Sequence, residues 1–84
     1  MADLAADIAG LVRCTIEPLV EFKEELVVTS SLDEHGVVLV EVHVNTADAG
    51  KVIGRQGRVI KAVRTVARAA GSRTNTSVEV ELID

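Results

Sequence analysis

The chain is 84 residues long, room for one domain, with 48% hydrophobic residues, one aromatic and a formal net charge of −4. That hydrophobic content excludes a disordered tail, and having Phe22 as the sole aromatic excludes base stacking on an aromatic platform. No apolar run nears the ~18 residues of a membrane span. No signal-peptide pattern follows Met1, and the lone Cys14 rules out an internal disulfide, so a cytoplasmic protein is expected.

From Asp3, a plausible N-cap, to about Ile16, the apolar residues Leu4, Ile8, Leu11 and Val12 recur at helical spacing. Cys14 flanks this apolar face and is expected to pack as a small side chain. Pro18 ends the helix or opens a loop. Residues 25–32 are β-branched and rich in Ser and Thr, the composition of a strand, and Asp33, Glu34, His35 and Gly36 supply a turn. Residues 37–44 alternate from Val40 onward, with Val38, Val40, Val42 and Val44 on one face and Glu41 and His43 on the other. The two strands should form an antiparallel hairpin. Asn45 or Thr46 can cap a short helix to about Ile53, with Asp48 in its first turn. Residues 54–57 interrupt it. A second helix then runs from about Arg58 to Ala70, stopped by Gly71. A polar loop over 72–77 leads to an alternating last strand over 78–83. The predicted order is α-β-β-α-α-β: an α+β two-layer sandwich in which three helices back a three-stranded mixed sheet.

Charge is distributed unevenly along this order. Residues 1–44 hold two cations and nine acids, a net of −7; residues 45–75 hold Lys51, Arg55, Arg58, Lys61, Arg64, Arg68 and Arg73 against Asp48, a net of +6; the last nine residues add −3. Such asymmetry points to a local cationic surface. The competing explanation is a solvated helix face balanced by the chain's own acids.

The most informative stretch is Gly50-Lys-Val-Ile-Gly-Arg-Gln-Gly-Arg-Val-Ile60. Gly54 and Gly57, three apart between two helical patterns, imply a tight corner. Gly54 suits a positive-φ helix stop, and Gly57 allows close approach of a second chain. The next helix starts there, so its free N–H groups and positive dipole end face the corner, an arrangement suited to phosphate. Arg55, Arg58 and Lys51 add charge around it. Along that helix Val59, Ile60, Val63, Val66, Ala67 and Ala70 share one arc, predicted to pack on the sheet. Arg58, Lys61, Arg64 and Arg68 share another, along which a nucleic-acid backbone could run. A solvated helix face accounts for Lys61, Arg64 and Arg68 equally well.

Val52-Ile-Gly-Arg-Gln-Gly-Arg-Val-Ile60 resembles the signature of the KH domain, whose GxxG loop clamps about four single-stranded nucleotides. The element order resembles the type II form of that domain. The length, the Asp48-Ala-Gly-Lys-Val-Ile53 lead-in, Arg64-Thr-Val66 and the Val-Glu-Leu-Ile-Asp84 ending resemble the small stand-alone bacterial KH proteins of the KhpA (YlqC) type across essentially the whole chain; the match is looser over residues 16–25. The resemblance implies a clamp at Gly54, Arg55, Gln56 and Gly57, and a groove floor at Val52 and Ile53 with Ile60 beneath. It further implies single-stranded RNA as ligand, RNA-chaperone activity, links to cell-wall and cell-shape control, and a homodimer or a complex with a larger KH protein of the Jag (KhpB) type.

No metal, cofactor, small-molecule substrate or enzymatic activity is expected. His35 and His43 have no partner at ligand spacing. Gly50, Gly54 and Gly57 fit neither a phosphate-binding Walker loop, which closes with Gly-Lys-Ser/Thr, nor a dinucleotide fingerprint. The rival reading is a protein-interaction scaffold of KH shape with negligible RNA affinity, favoured by the acidic first half and by the surface an 84-residue chain leaves apolar.

Overall fold

The computed structural model describes residues 3–83; Met1, Ala2 and the Asp84 of the acidic ending lie outside the described residues. The first helix, α1, spans Leu4–Ile16, and the Asp3 side chain accepts hydrogen bonds from the N–H groups of Ala5 and Ala6, as an N-cap should. Two short 3-10 turns, Glu17–Leu19 and Lys23–Glu25, lead into strand β1, Val27–Leu32. Strand β2 is Val38–His43, helix α2 is Thr46–Ile53, helix α3 is Arg58–Ser72 and strand β3 is Val78–Ile83. The predicted order holds, and the α+β class with a three-stranded mixed sheet is shown.

The sheet order is β1-β2-β3. β1 runs antiparallel to β2, with Val28 opposite Val42 and Leu32 opposite Val38; β3 runs parallel to β2, with Val38 beside Val78 and His43 beside Ile83. A parallel neighbour requires a crossover, and α2, the corner and α3 supply it. The hairpin turn closes on Asp33, whose carboxylate accepts from the N–H groups of His35 and Val37 at 2.8 and 2.9 Å, with Gly36 at φ +80°. One core lies between the layers: Ile8, Val12 and Ile16 from α1, the alternating Val38, Val40 and Val42 of β2, Ile60, Val63 and Ala67 of α3, and Val78 and Val80 of β3. No helix among the described residues is long and apolar enough to cross a membrane.

Four local expectations are corrected. β1 starts at Val27 rather than residue 25, because residues 23–25 wind into a 3-10 turn that the Leu26 N–H closes on the Lys23 carbonyl at 3.2 Å. α3 passes through Gly71, which is not its stop: a Cβ there would stand 2.5 Å from the Thr76 carbonyl oxygen and from Val78 Cγ2, so glycine is required by packing. Cys14 is exposed, since it sits about 200° around α1 from Val12. Val66, at the margin of the α3 apolar arc, is 43% exposed rather than packed on the sheet.

Candidate nucleic-acid interface

Asn45 caps α2, its side chain accepting from the Ala47 N–H at 2.8 Å, and the helix ends when the Gly54 N–H reaches the Gly50 carbonyl. Gly54 then takes φ 77°, ψ 172°, a region open essentially to glycine alone. A Cβ at this point would collide with Val59, 2.8 Å from its Cβ and 2.9 Å from its backbone nitrogen. At Gly54 the close approach is within the chain: α3 turns back directly against the end of α2. Gly57 is left-handed as well (φ 72°, ψ 16°), yet a Cβ there would meet only ordinary contacts, Lys61 Cε at 3.8 Å and Ile60 Cγ2 at 4.0 Å. Gln56 is also left-handed at φ 58°, so three of the four loop residues have positive φ.

The loop's own bonds run from the Gly57 N–H to the Gly54 carbonyl at 3.1 Å and from the Arg58 N–H to the Arg55 carbonyl. The N–H groups of Arg55 and Gln56 take part in neither. No side chain caps α3, so the positive dipole end of the helix also lies at the corner.

The residues singled out by sequence fall into three sets. Arg55, Gln56, Arg58 and Lys61 are exposed at the corner, and the Arg58 guanidinium donates to Gln56 Oε1 at 3.2 Å, bracing the left-handed residue. Ile53 is 41% exposed beside them, whereas Val52 is fully buried; of the two expected floor residues only Ile53 offers apolar surface. Lys51 and Arg64 are engaged elsewhere. Arg64 is the residue of its arc nearest the core stripe, and its Nε donates to the Val80 carbonyl at 3.2 Å, tying α3 to β3 instead of standing free on the ridge. Lys51 lies between two acids, 3.5 Å from Asp48 Oδ1 and 3.7 Å from Glu21 Oε2.

The sequence shows Asp48 as a first-turn acid and as the start of the lead-in to the glycine corner, with no sign of a structural role. Its side chain is fully buried, and its two oxygens accept from the N–H groups of Glu21 and Phe22, both at 3.0 Å. The Glu21 N–H, together with that of Phe22 and the Lys51 ammonium, holds the carboxyl below its usual range despite burial. It thereby fastens the α1–β1 connection to α2, the helix that delivers Gly54. Partners 26 and 27 residues away leave no local pattern, so nothing in the sequence marked this contact.

A corner of two helices closed by a Gly-x-x-Gly turn, in an α-β-β-α-α-β order with one parallel strand pair, defines a KH domain of the type II arrangement. The family described as KhpA/KhpB, KH domain, matches residues 9–82, and the chain belongs to it. It is 44% identical over 73 residues to the RNA-binding protein KhpA of Clostridium perfringens, covering 87% of this chain and 96% of that protein. It is 34% identical over 74 residues to the RNA-binding protein KhpA of Listeria monocytogenes, covering 88% and 96% respectively. Its fold also superposes on a crystal structure of an Era variant of Aquifex aeolicus bound to GDP and AlF4−, with a TM-score of 0.66 at 16% identity. That match covers 99% of this chain and 33% of the Era chain, and is a likeness of fold alone.

Proposed function

We propose that this chain is a non-enzymatic RNA-binding module that holds single-stranded RNA at the corner formed by residues 54–57. The observation that carries the reading is the backbone of that corner: N–H groups at Arg55 and Gln56 that no backbone carbonyl takes up and an uncapped helix start, with Arg55, Arg58 and Lys61 exposed around them. One or two phosphates sit on these donors, and Ile53 supports an adjacent base. The names of the relatives, each an RNA-binding protein, support the same reading. With no stacking aromatics each contact is modest, so the module works in pairs, as a homodimer or with a larger KH protein of the Jag (KhpB) type, and acts as a cytoplasmic RNA chaperone in cell-wall and cell-shape control.

A second reading, a scaffold with negligible RNA affinity, draws on one observation: Leu32 is 65% exposed and Val27 48% exposed on the free strand β1, apolar surface that could seat a protein. Titration of a short labelled single-stranded RNA with wild type and with the Arg55→Asp, Gln56→Asp double variant separates the two, with circular dichroism confirming that both fold. Loss of binding in the variant is the expected result. Equal binding by both moves the site away from the corner, and no binding by either supports the scaffold.

A further inference from the structure

Of the basic residues between 45 and 75, Lys51 alone is paired with carboxylates among the described residues. The pairing is built rather than incidental. Asp48 is buried and fixed by two backbone N–H groups, one of them that of Glu21 itself. Asp48 therefore sets the position of the Glu21 main chain, and the Glu21 carboxylate reaches Lys51 Nζ from the solvent side at 3.7 Å while Asp48 holds it from below at 3.5 Å. Glu21 is 71% exposed at its side chain and Lys51 51% exposed, so both can be approached from solvent. Lys51 lies in the last turn of α2, three residues before Gly54, on the flank of the corner.

We propose that Glu21 is an intramolecular competitor of RNA phosphate for Lys51, and so sets both the affinity and the salt response of the corner. The proposal rests on the RNA-binding reading above. In the free chain the ammonium has an oxygen anion on each side. An incoming phosphate carries the same charge and the same acceptor oxygens as the Glu21 carboxylate, and it can replace that carboxylate while the buried Asp48 stays in place. The exchange gains one phosphate contact and releases one exposed acid, so Lys51 contributes less to affinity than an unpaired lysine would. Removing the acid removes the competition.

Anisotropy titrations of a labelled single-stranded RNA decamer over a series of salt concentrations test this on the full chain. Glu21→Gln is expected to tighten binding by about two- to five-fold at low salt, the worth of an exposed ion pair. It should also steepen the log–log salt slope, by up to the ~0.7 of one single-strand phosphate, because the ion pair that the phosphate displaces in the wild type is itself weakened by salt. In a Lys51→Gln background the same change should do no more than Glu24→Gln, the net-charge control, does. Glu24→Gln, an exposed acid of the same connection with no contact to Lys51, measures the gain from net charge alone. A Glu21→Gln effect no larger than that of Glu24→Gln, or an excess over it that survives loss of Lys51, overturns the competition while leaving the RNA-binding reading intact. If Arg55→Asp leaves affinity unchanged, the corner is not the RNA site and both fall. The Asp48 bonds to the Glu21 backbone do not involve its side chain, so the Glu21→Gln fold is preserved, which circular dichroism checks.

Discussion

The two glycines of the corner carry different burdens. Gly54 sits in a glycine-only conformation with Val59 packed where a Cβ would go, so Gly54→Ala combines backbone strain with overpacking and should cost at least about 2 kcal/mol. Gly57 is left-handed but a Cβ there clashes with nothing, and asparagine tolerates that conformation; Gly57→Asn should stay within about 1 kcal/mol of wild type. Urea denaturation of both variants checks the contrast, and equal losses would contradict it. Asp48 gives a pH signature. Folding lowers its pKa, so its contribution is complete above the unfolded carboxylate value of about 3.9 and disappears as pH falls through the lower folded value. Asp48→Asn should therefore melt below wild type at neutral pH, and the gap should narrow as thermal melts are taken from about pH 5 down to about pH 2.

At the scale of elements, helical glycines separate propensity from packing. Gly10 in α1 has nothing within 4 Å of where a Cβ would stand, so Gly10→Ala should stabilise by up to about 1 kcal/mol. Gly71 in α3 would gain the same propensity but drive a methyl into the Thr76 carbonyl and Val78, and the clash decides the sign: Gly71→Ala should destabilise by about 1–3 kcal/mol. Thermal melts of the pair check it. The same distinction marks what sequence could reveal. Element order was legible because α1, β2 and α3 each carry an undiluted period, the Val38, Val40 and Val42 alternation most clearly. The corner was legible because glycine spacing is a local signal. Gly71 was misread as a stop because its reason lies in a strand several residues later, and the start of β1 because a 3-10 turn has no period of its own. Lys51 and Arg64 looked free for the same reason that Asp48 looked ordinary. Their partners, Glu21, the Val80 carbonyl and the backbone at residues 21–22, are distant in sequence, and long-range pairing leaves no spacing to read.

For the whole molecule, the charge blocks become surfaces. β2 and β3 place Glu41 beside Glu81 on the face of the sheet away from the helices, with Glu79 two residues along, while the exposed cations Arg55, Arg58 and Lys61 gather at the corner end of α3. A polyanion is repelled from one side and drawn to the other, so a net charge of −4 is compatible with phosphate binding. With one or two phosphates on the corner and the basic residues along α3 bringing the contacts to about three or four on a single strand, the log–log slope of affinity against salt should be about −2 to −3, and a flat response across the salt range would rule the mechanism out. The packing of Val59 against Gly54 carries the consequence furthest. The loop takes its shape from the meeting of two helices, and those helices meet only when the sheet beneath them has formed. The site thus has no existence in the unfolded chain. Ligand occupancy and folding are then linked equilibria: RNA at a hundred times its dissociation constant would add about 2.7 kcal/mol to the stability of the whole domain.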